Sequence, residues 1–281
     1  MALAIEKLGT TLDPVIETIG LDRAKAYAAA TNDDNPAYAA GKYAPPVFGD
    51  VVVWGAMIRA MTEVMSPEAF LMQVHGEQDI HLHMPLVPGT RLTSWAEPYS
   101  VRVGASGTRY TVRIKSVDDA DRPVLEQYAT FFIRGMTDGT SAGPEKPDHA
   151  FPEDARRRTI GEYTSHVDAD QTYRYRDASG DPNPVHYDDV SAKAVGLPGI
   201  ILHGLCTMAM TGRAIIETVA GGDPSRLTRL AVRFSKNVFP GSDLVTHIYD
   251  AGAHGGRHVY AFEAVSRGQL VISNGRGEVM G

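Results

Sequence analysis

Two stretches of this 281-residue sequence repeat each other in order, and that duplication limits the possible folds more than any other feature. Ala30-Thr-Asn-Asp33-Asp-Asn35-Pro36-Ala-Tyr38 aligns with Ala178-Ser-Gly-Asp181-Pro-Asn183-Pro184-Val-His186 at an offset of 148. Farther on, the run Ile80 to Thr90, with Pro88-Gly89, aligns with Val232 to Ser242, with Pro240-Gly241, at an offset of 152. The second copy therefore carries four extra residues between its motifs. Either match alone could arise by chance, but two in the same order at nearly equal spacing indicate duplicated units. The stretch from Met136 to Asp154 is rich in Gly, Pro, Ser and Asp and has no apolar period, as a connecting segment should be. The expected organisation is one unit over 1–135, a linker over 136–160 and a second unit over 161–281.

Each unit reads alike: a short polar loop and helix, a longer apolar helix, then several strands. The long helices fall at Val51–Met65 and at about His203–Ala220. Both are apolar around most of their circumference, so each must be covered on several sides. Thr108–Lys115, Val124–Ile133, Leu244–Tyr249, Arg257–Ala264 and Leu270–Ser273 read as strands, with an alternation that suits antiparallel pairing with one face buried. A curved antiparallel sheet wrapped around one buried helix satisfies both patterns, which is an α+β architecture.

The bulk properties narrow the function. Net charge is 27 − 34 = −7, the opposite of the basic excess a general nucleic-acid binder carries. Arg156-Arg-Arg158 reads as a solvated run closing the linker. Cys206 is the only cysteine, so no intrachain disulfide can form. No stretch approaches the ~20 apolar residues of a membrane-spanning helix. The N-terminus carries charges where a signal peptide would be apolar, and the C-terminus is not a Ser-Lys-Leu address. A cytoplasmic protein with neither nucleic-acid nor membrane partners is expected, acting as a homodimer.

The chemistry concentrates in Tyr175 to Asp189. Gly180 to Pro182 cannot continue a helix, and Asn183-Pro184 looks like an N-cap followed by proline at the first helical position. A helix from there to about Val195 puts Asp181 in the preceding loop and His186 in the first turn. The helix dipole would then disfavour the imidazolium and keep His186 basic. A carboxylate beside a neutral imidazole can hold one water and manage its proton. Gly204, opening the second long helix, offers a free N–H for negative charge developing on oxygen. A glycine there also lets a carbonyl approach closely.

The run Tyr175…Gly180-Asp181-Pro-Asn183-Pro184-Val-His186, followed by Pro198 and His203-Gly204, resembles the hydratase-2 motif of the MaoC-like, (R)-specific enoyl-CoA hydratases. The paired units, with His75-Gly-Glu-Gln-Asp-Ile80 and Pro85-Leu-Val-Pro88-Gly89, resemble the two-domain members, over nearly the whole chain. That resemblance implies a double hotdog: two antiparallel sheets, each wrapped around a long central helix, with one active site at their junction. It implies that Asp181 and His186 activate water, with Asn183 in support and the Gly204 N–H polarising a thioester carbonyl. Hydration of a trans-2-enoyl-CoA to the (3R)-3-hydroxyacyl-CoA would need no metal or redox cofactor. Single-unit members often carry a serine eight residues past that glycine, whereas this chain has Gly212. The first unit keeps Asp33, Asn35 and Pro36 but has Tyr38 in place of the histidine. A phenol with a pKa near 10 cannot serve as a base at neutral pH, so one site per chain is expected, with the first unit shaping the acyl pocket.

Arg233, Lys236 and Asn237, on the strand before Phe239-Pro-Gly241, and Arg257 are candidates for the phosphates of an acyl-CoA. His203 is read as a hydrogen-bonding residue near the pocket rather than a chemical one. His81 and His83 share a strand face, but no further ligands stand at zinc-like spacing. Met208 and Met210 read as core. Two other functions fit the same units: a thioesterase, or a non-catalytic acyl-CoA-binding protein.

Overall fold

The structure is a computed structural model describing all residues 1–281. The first unit opens with β1 (Val15–Thr18), α1 (Leu21–Ala30), α2 (Pro36–Ala39), α3 (Phe48–Val64) and α4 (Pro67–Met72). Its long strands follow: β2 (Gln73–Leu82), β3 (Arg91–Gly104), β4 (Gly107–Val117) and β5 (Pro123–Arg134). The second unit repeats the plan with β6 (Thr159–Val167), α5 (Gln171–Ser179), α6 (Asp189–Ala194) and α7 (Gly204–Val219). It closes on β7 (Leu227–Phe234), β8 (Ser242–His254), β9 (Arg257–Ser266) and β10 (Gln269–Met280).

The apolar circumference of α3 is buried as its composition demands, with Val53, Met57, Ala60 and Met61 all at 2% exposure or less. Tyr110 reaches from β4 to donate its hydroxyl to Ala60 O at 2.8 Å. In α7 the residues Cys206, Met208, Met210 and Ile215 play the same part, so the two methionines are core.

Where two sheets were expected, one continuous ten-stranded sheet is found, in the order β1-β3-β4-β5-β2-β7-β10-β9-β8-β6. The halves are joined by antiparallel pairing of β2 with β7. The physical reason is the edge: either half alone would leave the polar backbone of one of these strands unpaired. The register exposes the duplication directly. Asp79 pairs with Ala231, and these are 231 − 79 = 152 positions apart, the repeat offset itself. Tyr27 and Tyr175, 148 apart, meet hydroxyl to hydroxyl at 3.2 Å. An approximate two-fold axis therefore passes between both pairs, and each residue there faces its own counterpart.

The segment after β5 is tied down. It crosses the outer face of the sheet at the β2–β7 joint, where Lys146 pairs with Glu77 at 2.8 Å and His149 Nδ1 donates to Asn274 O at 2.8 Å. Arg229 donates to both carboxylate oxygens of Asp79, at 2.9 and 2.7 Å, and to Asp148 O at 3.0 Å. Arg156 and Arg158 are ion-paired with Glu263 and Asp154. No helix is long and apolar enough to cross a membrane.

Candidate active site

The loop between α5 and α6 builds the site from local chain chemistry. Gly180 ends α5 in the left-handed region, φ 81°, a conformation that costs glycine little. Asp181 Oδ1 then accepts from the Asn183 N–H at 3.0 Å, and Asn183 Oδ1 accepts from Val185 N–H at 3.3 Å. Asn183 thus aims Asp181 through its backbone while its side chain caps the next turn. Tyr187 closes the loop by donating to Pro182 O at 2.9 Å.

The single helix expected from Pro184 to Val195 is instead broken in two. Pro184–His186 is one 3₁₀ turn, and α6 starts afresh at Asp189. The cause is Asp188, whose carboxylate accepts from Val190 and Ser191 N–H and so imposes a new N-cap. His186 therefore does not sit in the first turn of α6. Burial lowers the imidazole's pKa below its ordinary value, against the Ile201 carbonyl and the Asp181 charge, which raise it. His186 Nδ1 donates to Ile201 O at 2.9 Å. A carbonyl only accepts, so the neutral ring has its proton on Nδ1 and a free lone pair on Nε2.

His203, at the cap of α7, stacks on His186 with ring centroids 3.8 Å apart and planes at 24°. Thr172 donates its hydroxyl to His186 O at 2.6 Å and lies 3.3 Å from His203 Nδ1. Tyr175 packs on His203 at 4.8 Å. A nitrogen of each histidine and a carboxylate oxygen of Asp181 all lie within 4.8 Å of one another. No other group of three or more His, Cys, Asp or Glu side chains has spacing that could hold a cation. However, face-to-face rings keep their in-plane lone pairs nearly parallel, and a shared cation needs them to converge at about 2.0–2.1 Å. His81 lies beside Asp79 at 3.2 Å on the outer face of the sheet, and His83 is exposed.

The α7 helix begins at Gly204, whose N–H has no acceptor in the chain. A Cβ there would meet the Phe234 ring at 3.4 Å, so glycine allows the helix start and that ring to pack closely. Asp181, Asn183 and His186 thus share one loop, and the start of α7 at Gly204 meets it through the His203 ring stacked on His186. Gly212 lies elsewhere, against Leu230 and beside Asp33 in a cavity of about 10 Å³.

The four phosphate candidates are not gathered. Phe234 turns toward Gly204, so its neighbour Arg233 must point to the opposite face of the sheet, where it lies 3.8 Å from Glu77. Arg257 is on that same outer face, 3.5 Å from Glu278. Lys236 and Asn237 lie beyond the end of β7 rather than on it, both exposed. They remain near the site because Leu202 N–H donates to Val238 O at 2.8 Å, which brings their turn beside the start of α7. Sequence reasoning missed Thr172, the stacked role of His203, and the ring of Phe234. Tyr175, which packs on His203, opens the motif and repeats Tyr27 at the motif offset of 148.

Comparison with known proteins bears on the family and the fold. Residues 152–267 match the family described as MaoC like domain, and residues 6–127 the FAS1-like, dehydratase domain region. A Mycobacterium tuberculosis protein named 3-hydroxyacyl-thioester dehydratase Y is 33% identical over 227 residues, 78% of this chain and 76% of that protein. A Dictyostelium discoideum protein named "Probable enoyl-CoA hydratase 2" is 32% identical over 181 residues, 64% of this chain and 61% of that protein. The chain thus spans less than two thirds of the Dictyostelium relative. A solved MaoC-like dehydratase from Phytophthora capsici superposes with a TM-score of 0.88 at 25% identity, covering 98% of this chain and 97% of that one. A Mycobacterium tuberculosis structure described as a double hotdog fold gives 0.59 at 15% identity over 97% and 96%, a likeness of fold alone. The chain belongs to the MaoC-like dehydratase family and is built as a double hotdog.

Proposed function

We propose that the chain adds water reversibly to trans-2-enoyl-CoA thioesters, giving (3R)-3-hydroxyacyl-CoA, with Asp181 and His186 acting on the water. The observation that carries this reading is the fixed tautomer of His186: its Nε2 lone pair is free, beside the Asp181 carboxylate. A water donating to Nε2 loses that proton as its oxygen bonds to C3. The C2–C3 π pair moves to the thioester oxygen, which the Gly204 N–H receives. The Asp181 carboxylate stabilises the imidazolium, and the same proton then passes from Nε2 to C2. Hydrogen and hydroxyl therefore add to one face. Lys236 and Asn237 are the remaining candidates for the phosphates of coenzyme A, since their turn flanks the start of α7. The names of the two relatives, a thioester dehydratase and an enoyl-CoA hydratase, support this chemistry. A single buried cysteine suits the cytoplasmic setting, and the expected homodimer stays part of the reading.

The test is to incubate purified protein with short, long and branched 2-enoyl-CoAs and to determine product stereochemistry. Loss of the enoyl chromophore with a (3R) product is the expected result. Free thiol release without hydration would turn the reading toward a thioesterase, and tight binding without turnover toward a sensor.

A further inference from the structure

Among the buried polar atoms, His203 Nε2 stands out: its residue is 1% exposed and the atom has no hydrogen-bond partner. An orphaned acceptor of this kind costs stability unless something donates to it. Its partner ring atom is accounted for. Thr172 spends its own hydroxyl hydrogen on His186 O, so its oxygen can only accept, and His203 Nδ1 is the donor at 3.3 Å. The unpaired lone pair is therefore on Nε2. Burial first, and then the neighbouring His186 and Arg176, hold the His203 pKa far below the usual imidazole range, so the ring stays neutral.

The two stacked rings are turned the same way. His186 Nδ1 points to Ile201 O and His203 Nδ1 to Thr172 Oγ1, and those two oxygens are 3.5 Å apart. With planes at 24° and centroids at 3.8 Å, the Nε2 edges then lie side by side, and one nitrogen of each ring lies within 4.8 Å of an Asp181 carboxylate oxygen. One water with two ~2.8 Å hydrogen bonds and a tetrahedral angle spans two acceptors about 4.4 Å apart. That fits within the 4.8 Å spread of this group.

We propose that His203 Nε2 is a catalytic contact of its own, accepting the O–H of the water that His186 does not deprotonate. The hydrogen that remains on oxygen becomes the 3-hydroxyl hydrogen of the product and stays hydrogen-bonded to His203 Nε2. Nothing is transferred to His203: the water O–H that points at His186 breaks, its proton passing to His186 Nε2 and on to C2, the O–C3 bond forms, and the second O–H persists. The Asp181 carboxylate is left to act on the charge of His186. The site should consequently discriminate for a hydroxyl at C3. This rests on the hydratase reading above, and absence of hydration by the wild-type protein would overturn both.

The experiment compares His203→Phe, which keeps a flat ring against His186 and Tyr175 but has no lone pair, with His203→Gln, whose amide oxygen can reach the Nε2 position. For His203→Phe, kcat should fall by about 10-fold or more with KM little changed, and His203→Gln should recover most of the loss. Affinity for a 3-hydroxyacyl-CoA should weaken about three- to tenfold in His203→Phe, while that for the saturated acyl-CoA of the same length stays put. Thermal melting of both variants checks that the stack survives. Wild-type kcat in His203→Phe, or equal weakening toward hydroxylated and saturated thioesters, would overturn the assignment while leaving the hydratase reading standing.

Discussion

The loops around Asp33 and Asp181 start from the same residues and end with different chemistry. Both aspartates accept from the backbone N–H of the asparagine two residues on, at 3.2 Å and 3.0 Å. Both asparagines cap the following turn. Beyond that the halves part. His186 presents a free Nε2, whereas Tyr38 buries a hydroxyl without a partner, and burial raises its pKa well above that of an ordinary phenol. The helix starts differ as well. Gly204 N–H is free, but Phe48, Gly49 and Asp50 N–H bond back to Pro45, Pro46 and Val47 carbonyls at 2.9, 3.1 and 3.1 Å. The first unit has therefore lost the base and tied up the oxyanion donors at once. What fills its place is a pocket of about 10 Å³ holding Asp33 and Arg213, room for about one water.

The largest expected effect tests that asymmetry at its matching positions. Asp181→Asn should lower turnover of an enoyl-CoA by about 10²–10⁴, while Asp33→Asn leaves it little changed; comparable losses in steady-state assays would mean that both halves catalyse. Next in size is a stability effect. Asp50, fully buried at the start of α3, has one carboxylate oxygen bonded to Gln78 at 3.1 Å and the other without a partner. Burial pushes its pKa up to about 7 from 3.8. The unfolded chain loses this proton near its ordinary value and the folded one only near 7, so rising pH across that window favours unfolding. Asp50→Asn should therefore raise the melting temperature increasingly from about pH 4 to about pH 7 and by a constant amount above, up to about 4 kcal/mol. A gain independent of pH would show that the carboxyl is solvated. The smallest effect is expected from Tyr38→His, which supplies an imidazole without freeing the Gly49 N–H. Activity in an Asp181→Asn background should not return, and a recovered turnover would show that the missing base alone silenced the first unit.

Much of the site could be read without coordinates because it is local. Asp181, Asn183 and His186 lie within six residues, and their turn is dictated by Gly180, by proline and by side chain-to-backbone bonds two residues long. The long helices were placed within three residues at their starts because apolar circumference is a property of the chain itself. Errors arose where one side chain competed with another. Asp188 is as good a cap as Asn183, and only the folded loop chooses both. The face that Arg233 and Arg257 take was not legible for a different reason: it depends on register, and a shift of one position reverses it.

The sequence by itself determined that two equivalent units exist, that each wraps a buried helix, and that only the second carries the carboxylate and imidazole together. These follow from periodicity, repeat and turn chemistry, which act over a few residues. The tertiary structure alone decided that β2 and β7 fuse the halves into one sheet, that burial lowers the pKa of His186, and that His203 lies flat against it. Each depends on segments tens of residues apart meeting at fixed distances, and contacts of that range are set by the packing of the whole core.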